Sequence, residues 1–137
     1  MYNTRTFISK EFKFEAAHSL PFHKGACFNK HGHSYHGKVT VSAKHLVNGM
    51  VMDYGDLKKL IQQTILIIAD HKDLNTVFED KDYYTTAENL CRFFFEMVEN
   101  ELKVTDKELR LECLSLKETG NSECVVYNEC SSFCTNT

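Results

Sequence analysis

Phe12, Phe14, Ala16 and His18 alternate with Glu11, Lys13, Glu15 and Ala17. That period of two marks a strand with one face in a core and the other in solvent. A first strand is therefore expected over residues 4–18, with His18 continuing the apolar face. Pro21 and Gly25 punctuate residues 20–26 as a loop. The alternation resumes in Tyr35, Gly37, Val39, Val41 and Ala43, which predicts a second strand over residues 31–46. Val47-Asn48-Gly49-Met50 then supplies a turn. From Asp53 to about Ala69 the period changes. Leu57, Leu60, Ile61, Thr64, Ile67 and Ile68 follow helical spacing, and Asp53 is placed to accept from an orphan amide at the helix start. A second helix is expected over residues 85–102. Thr85-Thr86-Ala87-Glu88 matches a capping box at its start. Leu90, Phe94, Met97 and Val98 form its buried stripe, widened by Phe93 and Phe95. Residues 109–118 and 123–129 read as two more strands, joined by Thr119-Gly120-Asn121-Ser122, which is turn chemistry.

The order β-β-α-α-β-β predicts an α+β domain: a four-stranded antiparallel sheet with two helices on one face. Such a sheet leaves two edges unpaired. A ring of copies would remove those edges, so a symmetric oligomer is expected. The 137 residues, 42% hydrophobic and 26% charged, fit one soluble domain. A net charge of −3, with only Lys58-Lys59 pairing basic residues side by side, argues against a nucleic-acid partner. The longest apolar run, residues 65–69, falls far short of the roughly 20 residues that span a bilayer. No membrane partner is expected. The start of the chain has no apolar signal region, so the cytoplasm is the expected compartment. There, the six cysteines are expected as free thiols or in metal chemistry rather than in disulfides. Cys91 and Cys113 fall in apolar patterns and read as small core residues. Cys130 and Cys134 lie in a polar tail, expected to fray.

The chemistry concentrates in Cys27-Phe28-Asn29-Lys30-His31-Gly32-His33-Ser34-Tyr35. On a strand His31 and His33 share a face, with only glycine between them. Two neutral imidazoles on one face can reach one metal, and His18 from the neighbouring strand gives a third ligand. Three protein ligands with an open position is the catalytic pattern for zinc. His18, His31 and His33 are therefore read as a zinc site, with Cys27 as a reactive thiol beside it. His23, His36 and His45 fall in a loop, off the register or near a strand end, and are left out.

Three further groups admit two readings each. Asp70-His71 is either a polar loop or an acid–base pair in which the carboxylate sets the imidazole tautomer. Glu88 has a sufficient structural role in the capping box. Glu118, in Lys117-Glu118-Thr119 at a strand end, is either surface or a ligand anchor.

Taken in order, the motifs are Phe14-Glu15-Ala16-Ala17-His18, Cys27-x3-His31-Gly32-His33-Ser34-Tyr35, Asp53-Tyr54-x2-Leu57-Lys58, Asp70-His71-Lys72-Asp73-Leu74-Asn75, Thr85-Thr86-Ala87-Glu88-Asn89 and Lys117-Glu118-Thr119. Their order and spacing resemble the 6-pyruvoyltetrahydropterin synthase family over residues 7–127. The three-residue gap between Cys27 and His31 is most similar to the branch that forms 6-carboxytetrahydropterin for queuosine and 7-deazaguanine synthesis. Animal pyruvoyl-forming members have a longer gap. A third branch carries a glutamate near the cysteine, where this chain has Phe28, Asn29 and Lys30. The resemblance implies a tunnelling fold, with three subunits forming a barrel and two trimers a homohexamer. Sites would lie between subunits, with His71 and Asp70 contributed by a neighbour. It implies 7,8-dihydroneopterin triphosphate as substrate and Zn2+ held by His18, His31 and His33. Cys27, His71 and Asp70 would be catalytic, and Glu118, Thr85, Thr86 and Glu88 would bind the pterin. Two rivals stand beside it. One is the pyruvoyl-forming sister activity. The other is a non-catalytic, zinc-stabilised domain in which Cys27 is a fourth ligand.

Overall fold

A computed structural model describes residues 3–81 and 83–129. β1 (Thr6–His18) pairs antiparallel with β2 (His31–Ala43), starting at Thr6↔Ala43 and ending at His18↔His31. A helical segment follows: α1 (Tyr54–Ile61), a π turn (Gln62–Leu66) and α2 (Ile67–Ala69). A short β3 (Lys72–Asp73) and α3 (Leu74–Val77) lead to α4 (Ala87–Thr105). β4 (Arg110–Thr119) and β5 (Ser122–Tyr127) close the chain as a hairpin. The sheet order is β3-β1-β2-β4-β5. The expected four antiparallel strands are present, and β3 adds a fifth that runs parallel to β1. Two residues leave no periodicity to read, which is why β3 has no signal in the sequence. Cys130 and Cys134 lie outside the described residues. Among the described residues no helix is long and apolar enough to cross a membrane.

The core forms where the apolar face of the sheet meets α1 and α4. Phe12, Phe14, Tyr35, Val39 and Val41 from the strands pack in one cluster with Leu57, Leu60, Ile61, Leu90, Phe94 and Val98 from the helices. Asp53 caps α1 as expected, accepting from the Gly55 and Asp56 amides. Asn48 and Gly49 both have positive φ, 53° and 75°, as a two-residue turn between Val47 and Met50 requires.

Two expectations need correction. Helical spacing puts Ile67 on the buried face of the first helix, yet its side chain is 68% exposed while Ile65 is fully buried. The cause is the π turn, which carries more residues than an α turn and so rotates everything after it. Thr64 sits in this turn and donates its hydroxyl to the Leu60 carbonyl at 2.6 Å, a bond that competes locally with the helical ladder. The second correction is the start of α4. Thr86, not Thr85, is the N-cap, accepting from the Asn89 amide at 3.2 Å. Thr85 is buried and turned to another task.

One feature on the sheet was not anticipated. The β2–β4 register shifts between Thr40 and Val41, leaving Glu112 without a cross-strand partner on β2. Its buried carboxylate accepts from Ser42 Oγ at 2.5 Å and lies 3.6 Å from Arg5 Nε. At the bulge the carboxylate is held through Oε1 by Ser42, Arg5 and Arg110, while its buried Oε2 has no hydrogen-bond partner.

Gly37 marks the tightest approach in the sheet. A Cβ there would overlap the Phe12 ring and stand 2.7 Å from the Ser115 carbonyl oxygen. Gly37→Ala is expected to destabilise the fold by about 1–3 kcal/mol through overpacking. Urea unfolding of the variant beside wild type measures it.

Candidate metal centre and active site

The apolar stripe of β1 ends in His18, fully buried at the last residue of the strand. Its cross-strand partner His31 and the same-face residue His33 stand beside it, because the β1–β2 register pairs residue 18 with 31 and residue 16 with 33. The ring centroids are 4.7 Å apart for His18–His31, 5.1 Å for His18–His33 and 4.7 Å for His31–His33. One ligand atom from each ring lies within 4.8 Å of the others, so the three could hold a metal ion.

The hydrogen bonds determine which nitrogens face inward. His18 Nδ1 lies 2.8 Å from the Thr85 carbonyl oxygen, and His31 Nδ1 lies 2.7 Å from the Asn29 carbonyl oxygen. A carbonyl only accepts, so each Nδ1 carries the proton and donates. Each Nε2 is left with a lone pair. The Nε2 atoms of His18, His31 and His33 are all buried and lack a hydrogen-bond partner. A buried acceptor without a partner is costly, on the order of 1–3 kcal/mol. Three converging, unpartnered imidazole nitrogens, two of them assigned as lone pairs by their Nδ1 bonds, are a donor set that a divalent transition metal takes. Holding the far nitrogen by a carbonyl is the usual way such ligands are oriented. The residues fit a metal.

Glu118 completes the surroundings. Its Oε1 is 3.2 Å from His18 Nε2 and 3.9 Å from His33 Nε2. Burial pushes the His33 imidazole below its ordinary value; Glu118 opposes that shift, while His18 and His31 add to it. Beneath them Tyr35 is fully buried, its ring 5.6 Å from His33 and stacked on Phe14 at 4.7 Å. Burial first, and then the Glu118 carboxylate, push the Tyr35 phenol far up. Glu118 also lines a cavity of about 290 Å³ with Glu88, Ala87, Leu116, Ser122 and Cys124. The carboxylate thus stands between the imidazole cluster and a space of small-ligand size.

The model for the family described as 6-pyruvoyl tetrahydropterin synthase matches residues 7–129. The chain belongs to this family. Among curated relatives, 6-carboxy-5,6,7,8-tetrahydropterin synthase of Haemophilus influenzae is 35% identical, covering 85% of this chain and 95% of its own. The human 6-pyruvoyl tetrahydrobiopterin synthase is 30% identical, covering 71% of this chain and 77% of its own. Among solved structures, the Caenorhabditis elegans 6-pyruvoyl tetrahydropterin synthase superposes with a TM-score of 0.78 at 25% identity, covering 91% of this chain and 96% of that one.

The remaining candidates of this 6-pyruvoyl tetrahydropterin synthase family chain fall around the centre in different ways. Thr85 meets His18 through its carbonyl, with its hydroxyl 3.4 Å from the same Nδ1. Thr86 caps α4, and Glu88 in the first turn lines the Glu118 cavity. Cys27 lies in a one-turn 3-10 helix, Ala26–Phe28, partly exposed and outside the imidazole cluster. His71 has a positive φ of 59° and an exposed side chain, with Nε2 3.7 Å from Asp70 Oδ2. It borders an open groove that His33 also lines. Sequence reasoning missed the carbonyls of Thr85 and Asn29, since backbone acceptors carry no side-chain signal. It also missed Asn75, whose side chain bonds Ser19.

His31→Ala is expected to weaken binding of a divalent metal by more than the roughly 10–100-fold that loss of a ligand's hydrogen-bond partner causes. His36→Ala should leave it unchanged. Metal content per chain after gel filtration checks both. For the metal-free protein the sign with pH also follows. His33 titrates below its ordinary value in the folded state, so the unfolded chain binds more protons in between. Stability should fall as pH drops below about 6.5. Urea midpoints at pH 7.5 and 5.5 should differ less in His33→Gln.

Proposed function

We propose that this protein is a zinc-dependent 6-carboxytetrahydropterin synthase. It would convert 7,8-dihydroneopterin triphosphate and one water to 6-carboxytetrahydropterin, acetaldehyde and triphosphate. The observation that carries the reading is the convergence of three buried Nε2 atoms without hydrogen-bond partners beside the Glu118 cavity in a chain of this family. The short Cys27–His31 gap and the similarity to the H. influenzae synthase favour the carboxy product over the pyruvoyl one.

Zinc held by His18, His31 and His33 would supply Lewis acidity toward the hydroxyls of the substrate side chain. The protein groups do the rest. Glu118 would accept two donors from the guanidine-like edge of the pterin, a bidentate arrangement suited to a carboxylate. Glu88 and the Thr85-Thr86 turn would close the same cavity. Cys27 would remove a proton from the side chain as its thiolate. A free thiol near pKa 8.5 is mostly protonated at neutral pH, so it needs a cationic neighbour. His71, oriented by Asp70, would take that role and relay the proton. Its exposed position in a single chain suits a group that completes its site at a subunit boundary, and a homohexamer built of two trimers is part of this proposal. Elimination of triphosphate, followed by carbon–carbon cleavage with uptake of one water, would then release the products. The pyruvoyl-forming activity is the second reading, favoured by the human relative. The same residues would serve it.

Mass spectrometry of the reaction with 7,8-dihydroneopterin triphosphate, with aldehyde trapping, decides between them. Carboxytetrahydropterin with acetaldehyde is expected. A pyruvoyl product without acetaldehyde would establish the sister activity, and absence of turnover would remove both. Cys27→Ala should lower kcat by about 10²–10⁴-fold, the contribution of a positioned acid–base group, with zinc content unchanged. Loss of zinc in that variant would instead make Cys27 a ligand.

A further inference from the structure

The β1–β2 ladder stops at the metal ligands. Its last pair is His18↔His31, and the same register would next pair Ser19 with Lys30. That rung does not form. Instead both residues are tied to a third segment. Asn75 Oδ1 accepts from the Ser19 amide at 2.8 Å, and Asn75 Nδ2 donates to the Ser19 carbonyl at 3.0 Å. The Asp73 carboxylate takes the Lys30 ammonium and also accepts from the Asn75 amide at 3.1 Å. Lys30 is the main cause that holds the Asp73 carboxyl below its ordinary range.

The segment is itself sewn along the edge of β1. Lys72 and Asp73 pair with Ala16 and Ala17. Upstream, the His71 amide donates to the Glu15 carbonyl at 2.6 Å, and Asp70 Oδ1 accepts from the Glu15 amide at 3.1 Å. Residues 70–75 thus run beside the strand end from Glu15 to Ser19 and cross to Lys30.

We infer that Asp73 and Asn75 are positioning residues that replace the missing rung, set the separation of His18 from His31, and so tune the affinity of the centre for its metal. Two ligands at a strand end would otherwise fray with the loop that joins them. Each is adjacent in sequence to a residue that the segment holds, one by a paired amide and one by an ion pair. Asp70 and His71 begin the same segment, so the bonds that brace this chain's histidines also hold the relay pair it would present at a subunit boundary. This rests on the metal reading above and adds what governs its affinity.

Zinc affinity by competition with a chromophoric chelator tests it, on wild type, Lys30→Ala, Lys30→Arg and Asn75→Ala. Lys30→Ala and Asn75→Ala are expected to bind zinc about 10–100-fold more weakly, the range for groups that orient ligands without touching the metal. Lys30→Arg should restore most of the loss. Lys30→Ala is the sharper probe. It removes a positive charge near a cation site, which by Coulomb's law alone would strengthen binding. The ion pair is partly exposed, so the melting temperature of the metal-free variant should stay near that of wild type. A weakened site in a protein of unchanged stability therefore reports positioning. Affinities of Lys30→Ala and Asn75→Ala within twofold of wild type would overturn the inference. If Asn75→Ala does not fold, Lys30→Ala decides alone. A wild type that binds no zinc would overturn the metal reading, and the clamp with it.

Discussion

The bond from His18 to the Thr85 carbonyl is the constraint from which the rest of the site follows. His18 is fully buried, so its ring needs a partner for every nitrogen or a metal for the one left over. The carbonyl fixes the proton on Nδ1 and turns Nε2 toward His31 and His33. Thr85 precedes the N-cap of α4, so the helix must dock in one place along the sheet for the bond to form. That docking is driven by Leu90, Phe94 and Val98 against Phe14 and the β4 core. Core packing and ligand orientation are therefore a single requirement, met by one helix start.

The strands and the clustering of His18, His31 and His33 were readable because both rest on a period of two. Phe12, Phe14, Ala16 and His18 share a face by that rule, and so do His31, His33, Tyr35 and Val39. The helical face of residues 53–69 was readable only as far as the π turn. A single change of helical pitch sent Ile67 out and Ile65 in, and no local spacing announces it. Thr85 and Thr86 show a different limit. Two adjacent threonines offer the same capping chemistry, and the choice between them is made by the buried His18 ring, 67 residues away in sequence. Glu112 shows a third. A bulge shifts the register by one residue beside Glu112 and sets its carboxylate against Ser42 and Arg5, a pairing that simple alternation from Leu114 and Leu116 does not announce.

The position of the centre within the fold has a physical logic of its own. Phe14 and Tyr35 stack beneath the histidines and are fully or almost fully buried, while the groove at His33 is open. An apolar floor disfavours a charged imidazole, which shifts His33 toward the neutral form that a metal would need. The open side leaves His33 reachable from solvent. The imidazole cluster thus lies at the boundary where the core ends, which is where a strand can present imidazoles that are both dry and reachable.

Glu118 then takes a part that no neutral residue could. Three neutral imidazoles leave a bound dication's charge uncompensated, and low-dielectric surroundings make that charge costly. A carboxylate 3.2 Å from His18 Nε2 supplies an opposing charge within the same pocket. The same group faces the cavity shared with Glu88 and Cys124, where a cationic or donor-rich ring edge would meet it. Substituting glutamine would keep the shape and lose the charge, so metal affinity and ligand affinity would both weaken. A residue that served only one partner would weaken only one.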